Sequence, residues 1–314
     1  MVVKYMIFMM KYVFSGVALA SLFMVSAHAA TPSDAYQRAE HLEKIVKKLL
    51  ESDMFEASEA EVPAELSSRP RHVLRQATYV FEKIQSLRFL NGLSLQPAPE
   101  IKAREVKPDD VVATLDAAIK SIQELGVIYK TELVLAPPPV LKGKKPSDVM
   151  KRLLTLTKNL ETLGAPSTLP NDVYRISLGI KTQSEQLLAA SGLKAHGEIK
   201  AVDKASPADA LNEVLALIAD VDKVAQSNER YSLSHGVVRP PVPAKGKPIK
   251  PSDVFLATQY VFADMYSLNV KLGMDKPLRL PKEQSGRNPA DVKNMIAKAR
   301  LNIQTLSQAA LNNE

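Results

Sequence analysis

The sequence predicts an all-α fold of about eight helices, arranged as repeated long–short helical hairpins in a helical-repeat array or a closed multi-helix bundle, with long Pro-rich connectors. Three observations predict it. Eight prolines open apolar-periodic stretches, seven of them have Asp two residues later, and the distance from proline to a stopping glycine recurs. Proline suits the first helical position because its missing N–H would be unpaired there anyway, and Asp in the first turn meets the positive end of the helix dipole.

The first start is Thr31-Pro-Ser-Asp34, where Thr31 is also a good N-cap. The second, at Pro70, runs 22 residues to Gly92 and carries His72 in the place of Asp. Pro108 and Pro146 open shorter stretches, each 18 residues from its glycine, Gly126 and Gly164. Pro170 to Gly192 and Pro251 to Gly273 repeat the 22-residue length, which gives helices of about 33 Å. Pro207 and Pro289, preceded by Ser206 and Asn288, complete the set with a short-type pattern.

The inward positions recur too. Val73, Val173 and Val254 lie three residues after their prolines, Val80, Ile180 and Val261 ten after, and Leu87, Leu187 and Leu268 seventeen after. Steps of seven keep them on one stripe of a helix. Long and short starts are paired 38, 37 and 38 residues apart, and no strand pattern competes. A fixed period in which no single unit can bury its own face is the mark of stacked or duplicated helices.

Residues 1–29 read as a signal peptide: Lys4 and Lys11 without an acid, an apolar run from Tyr12 to Val25, then Ala27-His28-Ala29 as the cleavage site. Met9 or Met10 is an alternative start, and an uncleaved anchor is the alternative fate. Residues 30–314 are expected to form one all-α helical-repeat domain with no transmembrane anchor after cleavage. The expected compartment is the periplasm, with secretion as the alternative.

The 314 residues are 46% hydrophobic and 24% charged, the balance of a globular chain. The absence of cysteine excludes a disulfide scaffold, thiolate metal sites and a thiol nucleophile. The formal charge of +7 is unevenly placed. Without Lys4 and Lys11 it is +5, yet two connectors alone carry +7: Ala136–Lys145, with Lys142, Lys144 and Lys145, and Arg239–Lys250, with Arg239, Lys245, Lys247 and Lys250. The remainder sums to −2, and Glu51, Asp53, Glu56, Glu59, Glu61 and Glu65 make the first connector acidic.

Proline-rich segments favour an extended backbone that is held out for recognition at low entropic cost. The basic loops are therefore candidate docking elements for an anionic partner; the alternative is that they are solvated connectors. A contact between the acidic connector and the basic loops, within or between molecules, is a third possibility. Nucleic acid is a poor partner, because neither loop holds an aromatic residue to stack a base.

Chemistry is thinly represented. His41, His72, His196 and His235 form no metal-binding pair, and no phosphate loop, nucleophile elbow or calcium loop is present, so no metal, cofactor or catalytic residue is assigned. His41 is expected at a surface or boundary, His72 as a neutral, loosely capped residue, and the other two in solvent. The matched pair Tyr79-Val80-Phe81 and Tyr260-Val261-Phe262 puts aromatics on both sides of a core valine. They imply either a wide buried face or an aromatic groove for a ligand.

The sequence thus supports three functional readings. The leading one is an exported, non-enzymatic helical-repeat protein that binds a protein or an anionic envelope component. The second is a periplasmic carrier of a small molecule or lipid between the long helices, at Tyr79, Phe81, Tyr260 and Phe262. The third is a hydrolase of envelope polymers.

Overall fold

A computed structural model describes residues 29–61, 65–195, 197–274 and 279–312. Among these residues there are eight α-helices and no strand: α1 (Pro32–Ser52), α2 (Pro70–Leu90), α3 (Pro108–Gln123), α4 (Pro146–Thr162), α5 (Pro170–Ala190), α6 (Pro207–Ser227), α7 (Pro251–Lys271) and α8 (Pro289–Asn312). Every helix starts at its predicted proline. The expected signal segment, apart from Ala29, and His196 lie outside the described residues.

The aspartates act as the dipole argument requires. Each accepts the backbone N–H of the residue before the proline, as Asp34 does from Thr31 at 2.7 Å, Asp148 from Lys145 at 2.8 Å and Asp253 from Lys250 at 2.7 Å. At Thr31, Ser206 and Asn288 the cap side chain also accepts the backbone N–H of its Asp, which closes the reciprocal capping box. The three long helices stop as expected, with Gly92, Gly192 and Gly273 at φ of +76°, +70° and +91°. The following N–H groups of Leu93, Leu193 and Met274 reach back to carbonyls of the last turn at 2.8–3.0 Å.

Two features differ from expectation. The helices from Pro32, Pro207 and Pro289 run 21, 21 and 24 residues, because no glycine stops them, so only α3 and α4 are short. The second difference is direction. Paired helices do not fold back as hairpins; within each half of the chain all four point the same way.

The direction follows from the side chains that join neighbouring helices. Arg38, six residues into α1, pairs with Asp116, eight residues into α3, at 2.7 Å. Gln76 in α2 donates to Thr157 in α4, Arg300 in α8 pairs with Asp220 in α6, and Asn302 in α8 donates to Ser184 in α5, each at a matching level. Pro170, Pro207, Pro251 and Pro289 line one shallow apolar dimple, which places four helix starts at one end.

The molecule is therefore two all-parallel four-helix bundles. In the first, α1 and α2 each pack on α3 and α4; in the second, α5 and α6 each pack on α7 and α8. Each has its own apolar core. The bundles meet through α2 and α7, which run antiparallel: Arg71 near the start of α2 meets Asp264 late in α7, while Tyr79 in mid-α2 meets Phe255 near the start of α7.

Parallel packing explains the long connectors. A helix of 21 residues is about 32 Å long, so a parallel successor needs a return strand, whereas an antiparallel one needs only a turn. Residues 128–145 run back along α1: His41 meets the Leu135 carbonyl, Gln37 the Pro138 carbonyl, and Ser33 the Lys144 N–H. Residues 53–61 run back along α4 in the same manner, through Ser58 to Asn159 and Ala60 to Thr155. The one short link, residues 163–169, joins the bundles, where the opposite orientation removes any need to return.

Parallel packing also explains the aspartates. Each helix start carries about half a positive charge, so four side by side amount to about +2 at one end. Antiparallel neighbours would cancel this; here a carboxylate at every exposed start does so instead.

Candidate functional site: the bundle boundary and the basic loops

His72, the one first-turn residue that is not Asp, sits at the boundary of the bundles and is buried. Its Nδ1 accepts the Arg69 backbone N–H at 2.9 Å, which is the capping bond that Asp makes elsewhere. That leaves Nε2–H to donate to Asp264 of α7 at 2.9 Å. Both nitrogens of a neutral imidazole are thereby satisfied, and the tautomer is fixed. Burial pushes the His72 pKa down, against the pull of Asp264.

Asp264 is almost wholly buried and receives two further donors. Burial alone would raise its pKa, but His72 and the Arg71 guanidinium hold it below the usual carboxylate value. Arg71 Nε donates to it at 2.6 Å and the Val238 N–H at 3.4 Å. The other Arg71 nitrogens donate to the carbonyls of Ser234 at 3.2 Å and Gly236 at 2.6 Å, and Arg69 donates to that of His235 at 3.2 Å. This cluster therefore pins residues 234–238, the root of the second basic loop. Asp264 and Arg71 carried no sequence signal beyond their places in α7 and α2; the broken Asp pattern at His72 was the available clue.

The four predicted aromatics are all buried. Tyr79 leaves its own bundle to join the core of the second, where its ring lies 4.3 Å from that of Phe255 and its hydroxyl bonds Thr168 at 2.7 Å. Tyr260 does the reverse, entering the first core beside His72 and donating to the Ser67 carbonyl at 3.0 Å. Phe81 fills the first core and Phe262 the second. Beside them Arg71, Leu74, Phe262 and Tyr266 line a space of about 10 Å³, room for at most a single water. A carrier cavity needs roughly 300 Å³ or more, so ligand binding at these rings would require α2 and α7 to part.

The basic loops lie where their sequence placed them, on the surface. Lys142, Lys145, Arg239, Lys245, Lys247 and Lys250 are exposed, and Lys144 lies 4.5 Å above the Tyr36 ring. Lys145 caps α4 and Lys250 caps α7, so with the bundles antiparallel these two lysines lie at opposite ends of the molecule, and the second loop runs from its root beside the start of α2 to the far end. Lys247 pairs with Glu61 of the acidic connector, and that contact lowers the Glu61 pKa. His41 is buried against the 128–145 connector through the Leu135 carbonyl, while His235 is exposed.

Among the described residues no group of three or more His, Asp or Glu side chains is placed to hold a metal, and no helix is long and apolar enough to cross a membrane. The fold defines a tandem, all-parallel four-helix-bundle protein. No family model, curated protein or solved structure matches the chain.

Proposed function

We propose that this chain is an exported, non-enzymatic binding protein whose Pro-rich lysine loops dock on an acidic protein surface. The observation that carries the reading is the pair of loops: seven basic residues without an acid, on proline-rich backbone anchored by partly buried hydrogen bonds. Preorganisation of this kind lowers the entropy lost on docking. An acidic protein face is favoured over a polymer or lipid because Lys247 already holds the carboxylate of Glu61. Export rests on the composition of residues 1–29, and the periplasm is the proposed compartment.

The test replaces Lys142, Lys144, Lys145, Lys245, Lys247 and Lys250 with Ser and compares crosslinked capture from periplasmic extract. Loss of a discrete captured protein supports the reading. Capture of the same protein by the variant would sink it.

A further inference from the structure

The three glycine-stopped helices can be compared at their ends, because they share one geometry. After α5 the chain reads Ala189-Ala190-Ser191-Gly192, and α7 ends Val270-Lys271-Leu272-Gly273. At the same places α2 reads Phe89-Leu90-Asn91-Gly92, with Leu95 three residues further on. Phe89 is 69% exposed, and Leu90 and Leu95 are exposed beside it. Neither of the other copies exposes a large apolar residue at these places: α5 has Ala189 and Ala190, and Val270 and Leu272 of α7 are half-buried.

The neighbouring helix ends carry the same excess. The chain leaving α3 exposes Val127 at 84%, and the chain leaving α1 exposes Met54 at 94% together with Phe55. Tyr129 follows the end of α3, its backbone N–H bonded to the Leu125 carbonyl at 3.0 Å, and burial together with the nearby Asp53 carboxylate raises its pKa. Met54 also occupies the left-handed place that glycine fills after the long helices, with φ +59°. A side chain there costs about 1 kcal/mol or more. Six large apolar residues thus stand exposed where three parallel helices end at one end of the first bundle, and such a concentration marks an interaction site.

The electrostatics of that face select its partner. Glu51, Asp53 and Glu56 are exposed at its rim, against Lys130 on the other side. The helix carbonyl ends of a parallel bundle add negative partial charge of the same sign. The complement is an apolar, basic segment, and the opposite end of the same bundle displays one: Val140 and Leu141, exposed, followed by Lys142 and Lys145. The helix separates these two surfaces by about 32 Å, so they cannot meet within one molecule.

We propose that the carboxyl-terminal end of the first bundle, centred on Met54, Phe89 and Val127, is a docking face for residues 136–145 of a second copy of this chain. The second basic loop is not the occupant, because its Lys250 end lies at the same end of the molecule as the face and Lys247 is engaged by Glu61 of its own chain. The contact is head-to-tail: unlike surfaces meet, both remain available on the outer copies, and association proceeds to open chains. The proposal rests on the reading that the lysine loops dock on acidic protein surfaces.

Sedimentation velocity of the purified protein tests it with two variants, Phe89→Ser with Val127→Ser in the face, and Lys142→Glu with Lys145→Glu in the loop. All four positions are exposed, and circular dichroism verifies the folds. The wild type is expected to grow beyond a dimer with concentration, and less so at high salt. Each variant alone is expected to be monomeric, while an equimolar mixture forms a dimer and stops, since one live face then meets one live loop. A wild type that stays monomeric overturns the proposal, as does a loop variant that associates like the wild type. A monomeric wild type whose lysine-to-serine variant still loses its periplasmic partner would overturn self-docking alone.

Discussion

His72 and Tyr260 stack face to face across the boundary of the two bundles, ring centroids 4.5 Å apart and planes 10° from parallel. The stack fixes the imidazole between a backbone N–H on one side and Asp264 on the other. One residue therefore caps α2, orients a buried carboxylate and packs against an aromatic ring from the partner bundle. The boundary is held by this cluster and by the reciprocal exchange of Tyr79 and Tyr260, so disturbing it should loosen the bundles from each other before either core melts.

Asp264→Asn tests the charge at its centre. Arg71 would then keep a buried guanidinium with only carbonyl partners, and breaking such a pair typically costs about 3–5 kcal/mol. The expected outcome is a loss of that size in urea unfolding, with faster proteolysis at residues 234–250, whose root Arg71 and Asp264 hold. Double replacement of Arg71 and Asp264 with Met and Leu should recover much of the loss, which single replacement with Ala does not.

The same cluster sets a pH dependence. His72 has its pKa pushed below 6.5 in the folded protein, so the unfolded chain takes up a proton first as pH falls. Stability is then full above about pH 6.5 and declines below it. Asp264, depressed below 3.8, adds a second decline at lower pH, as the solution approaches its folded value. His41 is shifted in the same direction as His72 by its own burial, so His72→Asn should flatten most, and not all, of the slope between pH 7 and 5. An unchanged slope in that variant would locate the titration elsewhere.

Much of this architecture was legible in the sequence, because helix starts are local. Proline and Asp mark them wherever they occur, and all eight were placed. Direction was not legible, since a capped start looks the same in a parallel and an antiparallel bundle. The connector lengths held the information: 91–107 is long enough to return along a helix, whereas 163–169 is not needed for that purpose. The exposure of Lys142 and Lys245 followed from composition. The destination of Tyr79 did not, because heptad spacing says that a residue faces inward without saying into which core. His72 was visible only as an exception, and what it served depended on α7, 192 residues away.

Gly179 in α5 makes a prediction of opposite sign to helix propensity. Ala in a helix interior is favoured over Gly by about 1 kcal/mol. Here a Cβ would stand 2.8 Å from the Phe262 ring, which is buried and cannot swing away. Overpacking of a tight core costs about 1–3 kcal/mol, so Gly179→Ala should be destabilising on balance. Gly179→Ala combined with Phe262→Leu should restore part of the loss. If Gly179→Ala alone raised the urea midpoint, close packing of α5 on α7 would not be limiting.

Met54 sets stability against binding. At φ +59° it pays a backbone penalty that glycine would not, so Met54→Gly should stabilise the fold by about 1 kcal/mol even though the unfolded chain becomes freer. The gain should appear as a higher urea midpoint with an unchanged slope, because the side chain is exposed and the buried area stays the same. The same replacement removes a thioether from the proposed docking face, and association in sedimentation velocity should weaken. A strained residue retained in the open, where removing it helps the fold, is what an interaction surface requires. Unaltered association in a stabilised Met54→Gly protein would leave Phe89 and Val127 to carry the contact without it.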